Sequence, residues 1–132
     1  MKPSQQQTLI QAAVDAREQA YAKYSDYQVG AALLCDAGEI ITGCNVENAS
    51  YGLTICAERV AIFNAISQGL RKFTGLAIAT ADGGPPCGAC RQVMSEFSKD
   101  LPILLVAADR SNEVVATSLD LLLPMQFELD RP

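Results

Sequence analysis

Apolar side chains at Leu9, Ala13, Ala16 and Ala20 recur at three- and four-residue intervals behind a polar start, which predicts an amphipathic helix over residues 5–23. Ser4 with Gln7 three positions on has the spacing of a capping box for it. A polar linker at 24–28 follows, then two short β-type runs at 29–34 and 39–45 flanking Asp36-Ala37-Gly38, whose turn chemistry predicts an antiparallel pair. Thr54 is placed to cap a helix over 55–68, with Gly69 as its stop, and 75–80 reads as a buried strand reached by a right-handed crossover. The loop Asp82-Gly83-Gly84-Pro85-Pro86 leads into a third helix at 87–98, because proline fits at or just before a helix start. A buried strand at 103–107, a short strand at 113–116 and a short helix at 118–123, stopped by Pro124, complete the pattern. Helix, two strands, then alternating helices and strands imply an α/β layered architecture with a mixed sheet. No repeat or interdomain linker interrupts it, so residues 1–132 read as one domain.

Composition narrows what such a domain does. With 49% apolar residues in 132, the chain can build a core without disulfide staples. Ten basic against 15 acidic residues leave a net charge of −5, which repels a phosphate backbone and excludes polymeric nucleic acid as a partner. No stretch approaches the roughly 20 apolar residues that span a bilayer, and the first residues lack a signal peptide's apolar run, so the expectation is a soluble, cytoplasmic protein with no membrane partner. The chain has no histidine, which removes Ser-His-Asp and Cys-His devices and every His-ligated metal. Five cysteines, an odd number, favour free thiols or metal ligands over disulfides.

The candidate chemistry sits in Cys56-Ala57-Glu58-Arg59 and Pro86-Cys87-Gly88-Ala89-Cys90-Arg91-Gln92, each where a connection becomes helix. Helix starts of this kind gather outside one edge of an α/β sheet, so the segments can meet. Cys87 and Cys90 on one helical face, with Cys56 from the neighbouring helix, suit one tetrahedral zinc at about 2.3 Å from each sulfur. Three protein ligands leave a position open for water, as catalytic rather than structural sites do. Glu58 in the same first turn can then act as base and afterwards as acid in a hydrolytic attack on an aromatic C–NH₂ carbon. Three thiolates around Zn²⁺ carry a net negative charge, which helix N-termini and a neighbouring guanidinium, Arg59 in preference to Arg91, would offset. The plainer readings are a redox or core Cys-x-x-Cys pair, or a closed structural site that recruits Cys35 or Cys44. Those two cysteines read instead as small buried hydrophobes in strands.

Together with Val29-Gly30-Ala31-Ala32, Gly43-Cys44-Asn45-Val46-Glu47-Asn48-Ala49 and Leu122-Leu123-Pro124 with Phe127, these motifs make most of the chain resemble the short, single-domain, homotetrameric cytidine deaminases whose zinc is held by three cysteines. The zinc core itself follows the general deaminase pattern of Cys-x-Glu with Pro-Cys-x-x-Cys. The resemblance implies a three-layer fold with helices on both faces of a mixed sheet, and hydrolysis of cytidine and 2′-deoxycytidine in pyrimidine salvage. It implies one zinc per subunit on Cys56, Cys87 and Cys90, and Glu58 holding the pyrimidine N3. Asn45 and Glu47 would bind the ribose hydroxyls, and the Ala57 N–H the pyrimidine carbonyl. Tyr27 would stand beside the base, and Phe127 would come from a neighbouring subunit, so that active sites are shared. Tyr27 replaces the family's usual Phe, Gln28 its usual Pro, and Pro85 a common Ser, all near the base. Alternatives are a deaminase of another aminopyrimidine nucleoside such as blasticidin S, against which Asn45-x-Glu47 favours a plain ribose, and a structural-zinc interaction module in which Glu58 only complements a helix dipole. A nucleic-acid-editing deaminase is disfavoured by acidity and the lack of an aromatic strand-binding tract.

Overall fold

A strand buried at every position, as Gly30–Cys35 (β1) is, belongs in the interior of a sheet covered on both faces. The computed structural model, which describes residues 1–129, has this arrangement; the last three positions of the domain expected over 1–132 lie outside the described residues. β1 pairs antiparallel with Ile40–Cys44 (β2) on one side and with Phe73–Thr80 (β3) on the other. β3 runs parallel to Pro102–Ala107 (β4), which pairs antiparallel with Glu113–Ser118 (β5). The order is β2-β1-β3-β4-β5 in one mixed five-stranded sheet.

Alternation along the strands sorts side chains between two cores. Ala32 and Leu34 of β1, Ala77 and Ala79 of β3, and Leu104 and Val106 of β4 pack under the helix Pro3–Arg17 (α1) through Leu9, Ile10 and Ala13. Ala31, Leu33, Leu76, Ile78, Ile103 and Leu105 face the other way. There they meet the helices Ala57–Ser67 (α2) and Gly88–Phe97 (α3), with Leu119 of the one-turn helix Leu119–Leu122 (α4) closing the layer. Helix, sheet and helix form three layers, as expected.

Helix ends depart from the sequence expectation in ways that matter for the site. α1 starts at Pro3 rather than 5, its first position taken by the proline and the Lys2 N–H held by Gln5 Oε1 at 2.9 Å, so Ser4 and Gln7 are not its capping pair. It also ends at Arg17 instead of continuing to 23. Tyr21 is drawn into a bridge with Val46, donating its N–H to the Asn45 carbonyl and accepting from the Glu47 N–H. Thr54 does not cap α2, because Ile55 is extended in a second bridge to Val46 and Cys56 becomes the N-cap. Gly69, at φ +85°, does end that helix in the left-handed conformation glycine permits. α3 likewise starts one residue later than expected, with Cys87 as its N-cap, and β5 extends to Ser118, whose hydroxyl accepts from the Leu121 N–H at the start of α4.

β1 is antiparallel to both neighbours, so β2 and β3 run parallel to one another, with α2 as the crossover between them. Gly43 of β2 lets that crossover pack tightly. A Cβ there would lie 2.5 Å from the Ala61 nitrogen and 2.6 Å from the Ala57 oxygen, both backbone atoms of α2. Gly43→Ala is therefore expected to displace the start of α2 and cost about 1–3 kcal/mol of stability. Thermal unfolding should record this as a drop in Tm of several degrees.

Candidate active site

Two helices begin at one place because the chain forbids either to begin earlier. Before α2, the bridge between Val46 and Ile55 keeps residues 55–56 extended, and Cys56 carries φ −71°, ψ 152°. Before α3, Pro86 keeps Pro85 out of the helical region, and Cys87 carries φ −68°, ψ 167°. Both cysteines are thus N-caps, and Cys90 lies one turn into α3. The three Sγ atoms lie within 4.8 Å of one another, with Cys56–Cys87 at 3.9 Å and Cys87–Cys90 at 3.5 Å. A tetrahedron of sulfurs about 2.3 Å from zinc has edges of about 3.8 Å. The donor set and its spacing fit that ion, and the two remaining cysteines, Cys35 and Cys44, stand outside the cluster on β1 and β2.

Arg59 and Arg91 divide the bracing of this cluster. The Arg59 Nη2 donates to Cys56 Sγ at 3.4 Å, and its buried Nε has no acceptor among the described residues, so sulfur is what holds the guanidinium. Arg91 instead donates from Nε to the Pro86 carbonyl at 2.8 Å and from Nη1 to the Leu122 carbonyl at 2.8 Å, tying the turn before Cys87 to the end of α4. The neighbouring Cys90 thiol and the Arg59 guanidinium hold Cys56 down to about 5, against the effect of its burial. Cys90 is pushed up by Cys56, its own burial and Glu58. A bound divalent cation overrides this division and keeps coordinating thiols deprotonated.

Glu58, only 4% exposed, sits in the first turn of α2. Burial and the nearby Cys56 raise its carboxyl above the usual range. It lines a cavity of about 290 Å³ together with Cys56, Ala57, Cys87, Asn45, Glu47 and Tyr27. Seven further residues complete the lining, among them Ser25 and Thr80, which sequence reasoning did not single out. Ser25 and Thr80 carry no local signal. Ala57 opens α2, where main-chain N–H groups have no intrahelical acceptor. Phe127 does not line this cavity. It is 68% exposed, in a separate surface groove with Phe97 and Lys99.

Asn45 and Glu47 flank Val46, the residue bridged to both Tyr21 and Ile55, and organise the segment 24–29 along the cavity. Asn45 accepts the Val29 N–H at Oδ1 and donates from Nδ2 to the Tyr27 carbonyl, both at 2.9 Å. The Glu47 carboxylate accepts the N–H groups of Tyr24 and Ser25 at 2.9 and 3.1 Å and the Ser25 hydroxyl. These donors, Ser25 first, hold its carboxyl below the usual range, so it is an anion at neutral pH.

A layered α/β protein whose clustered thiols open onto a cavity beside a buried carboxyl has the build of a metal-dependent enzyme rather than of a protein with a closed structural metal. Residues 3–105 match the family model described as the cytidine and deoxycytidylate deaminase zinc-binding region. The chain belongs to that family. The cytidine deaminase of Sporosarcina psychrophila is 47% identical over 122 residues, which cover 90% of this chain and 88% of the relative. That of Halalkalibacterium halodurans is 57% identical over 93 residues, 69% of this chain and 70% of its own length. The crystal structure of the cytidine deaminase from Burkholderia pseudomallei superposes with a TM-score of 0.87 at 48% identity, covering 96% of this chain and all of the other.

The cluster makes a direct prediction. Alanine at Cys56, Cys87 or Cys90 abolishes zinc retention after gel filtration, measured by elemental analysis, whereas alanine at Cys35 or Cys44 leaves the zinc content at the parent value.

Proposed function

We propose that this chain is a hydrolase that converts cytidine and 2′-deoxycytidine to uridine and 2′-deoxyuridine with release of ammonia, a step of pyrimidine salvage. The observation that carries the reading is the gathering of the Cys56, Cys87 and Cys90 sulfurs within 4.8 Å beside a buried Glu58 in a cavity of nucleoside size. Those three cysteines would hold one zinc per subunit, and the ion supplies Lewis acidity at that point of the cavity. Glu58 moves the protons. Its carboxylate takes one from the attacking water and places it on the pyrimidine N3, then takes the second from the new C4 hydroxyl and passes it to the amino group, which leaves as ammonia as the C4–N bond breaks and the C4 carbonyl forms. Its burial keeps bulk water from competing for them. Arg59, by donating to Cys56, offsets thiolate charge that would otherwise weaken the Lewis acid.

The remaining lining residues take the substrate. The Ala57 N–H binds the pyrimidine carbonyl oxygen, Tyr27 stands beside the base, and Asn45 and Glu47 bind the ribose hydroxyls with an amide and a carboxylate. No Lys or Arg lines the cavity among the described residues, which favours a nucleoside over its phosphate ester. The domain, 1–132, would work in the cytoplasm as a homotetramer, with Phe127 of one subunit completing the cavity of another. Support comes from Leu121, Met125 and Phe127, three large apolar side chains in one short stretch, exposed at 73%, 100% and 68% in the isolated chain.

Ultraviolet absorbance of the zinc-loaded protein tests the substrate: cytidine and deoxycytidine react and free cytosine does not, while reaction with blasticidin S alone overturns the assignment. Glu58→Gln keeps its zinc and loses about 10²–10⁴ in kcat; turnover at the parent rate would remove Glu58 from the mechanism. Sedimentation analysis finds a tetramer, and an active monomer would exclude the shared site.

A further inference from the structure

Tyr27 is 41% exposed, so packing alone leaves its ring freedom to rotate. Its segment is anchored by the main chain: Glu47 holds the N–H groups of Tyr24 and Ser25, Asn45 the Tyr27 carbonyl, and Arg17 Nε the Gln28 carbonyl at 2.9 Å. None of these contacts fixes the side chain. The loop after β3 is anchored separately, with Thr80 Oγ1 accepting the N–H groups of Gly83 and Gly84 at 2.8 and 3.0 Å, and the Ala81 carbonyl accepting the Asp109 N–H. Both segments line the cavity, one through Ser25 and Tyr27, the other through Gly84, Pro85 and Pro86.

Their side chains meet where the Tyr27 hydroxyl donates to Asp82 Oδ1 at 2.8 Å. The same oxygen accepts the Gly84 N–H and the Thr80 hydroxyl, each at 3.3 Å, so three donors converge on it and fix the carboxylate. The contact lies over the Gly84 backbone, where an added Cβ would stand 3.4 Å from the Tyr27 oxygen and 3.5 Å from Asp82 Oδ1. The hydrogen bond from Tyr27 lowers the Asp82 carboxyl, and burial raises the Tyr27 hydroxyl, so at neutral pH one remains acceptor and the other donor.

We propose that the Tyr27 hydroxyl and the Asp82 carboxylate form a latch that fixes the Tyr27 ring against the loop after β3, making Asp82 a positioning residue for nucleoside binding. The inference rests on the proposed deaminase function. Phenylalanine at position 27 offers the same ring without the tether, so binding falls while the chemistry at Glu58 and the sulfurs is untouched. The Pro86–Cys87 turn has its own brace in Arg91, so the latch does not set zinc content.

Steady-state kinetics with cytidine on the zinc-loaded parent, Tyr27→Phe, Asp82→Ala and the double variant tests this. Each single variant raises KM about fivefold with kcat within about twofold, the scale of one lost charge-assisted hydrogen bond. The double variant is no worse than Asp82→Ala alone, because Tyr27→Phe removes a contact that Asp82→Ala has already removed. Zinc content stays at the parent value throughout. A parent-like KM for Tyr27→Phe, or effects that multiply in the double variant, overturns the latch. If Asp82→Ala does not fold, Tyr27→Phe decides alone, since it deletes one oxygen. An inert parent overturns the proposed function and the latch's role with it; an active parent with either unfavourable result overturns the latch alone.

Discussion

Three sulfur atoms within 4.8 Å of one another must come from two separate stretches of chain, and the demand for that convergence organises much of the molecule. Two helices have to start at the same place, with an extended residue at each start aiming a thiol between them. On one side a β-bridge at Ile55 extends the chain just before the thiol, and on the other two prolines precede it. The sheet then brings the starts together. With β1 between β2 and β3, and β4 parallel to β3, both α2 and α3 lie on the same face of the sheet. The bare backbone at Gly43 lets α2 settle directly on β2.

The second organising element is Val46. It bridges Tyr21 on one side and Ile55 on the other, so a single residue aligns the end of the α1 connection with the entry to α2. Asn45 and Glu47 flank it and put their side chains to two uses. The amide and the carboxylate that line the cavity also satisfy main-chain groups from Tyr24 to Val29, so the wall and its anchors are the same atoms. Such a wall is ordered before any substrate arrives, which lowers the entropy that binding must offset.

What could be read in advance follows from how local each signal is. Strands and helices came through because burial on two faces leaves near-continuous apolar runs such as Leu76–Thr80, and because Gly69 and the Pro85-Pro86 pair are strong punctuation. The sulfur cluster was legible because a histidine-free chain with Cys56 and Cys87-x-x-Cys90 leaves few other ways to build a hydrolytic centre. The end of α1 was not legible. Residues 18–23 have helical spacing, and only a bridge to a residue some 25 positions away draws Tyr21 out of it. Thr54 is a good N-cap by type and was displaced for the same reason. Asp82 and Ser25 gave no warning, since each owes its place to a partner distant in sequence, Tyr27 and Glu47.

Arg91 carries one last implication. Its guanidinium spans the carbonyl oxygens of Pro86 and Leu122, and so belongs equally to the turn that presents Cys87 and to the stretch leading into the final residues. The closing segment is therefore not an appendage. Trimming it back to β5 would strip an acceptor from a cation that steadies the turn before Cys87, and an affinity handle or reporter fused there would pull on the same joint. The amino end offers the safer attachment point: α1 packs on the opposite face of the sheet, with five strands between it and the sulfurs.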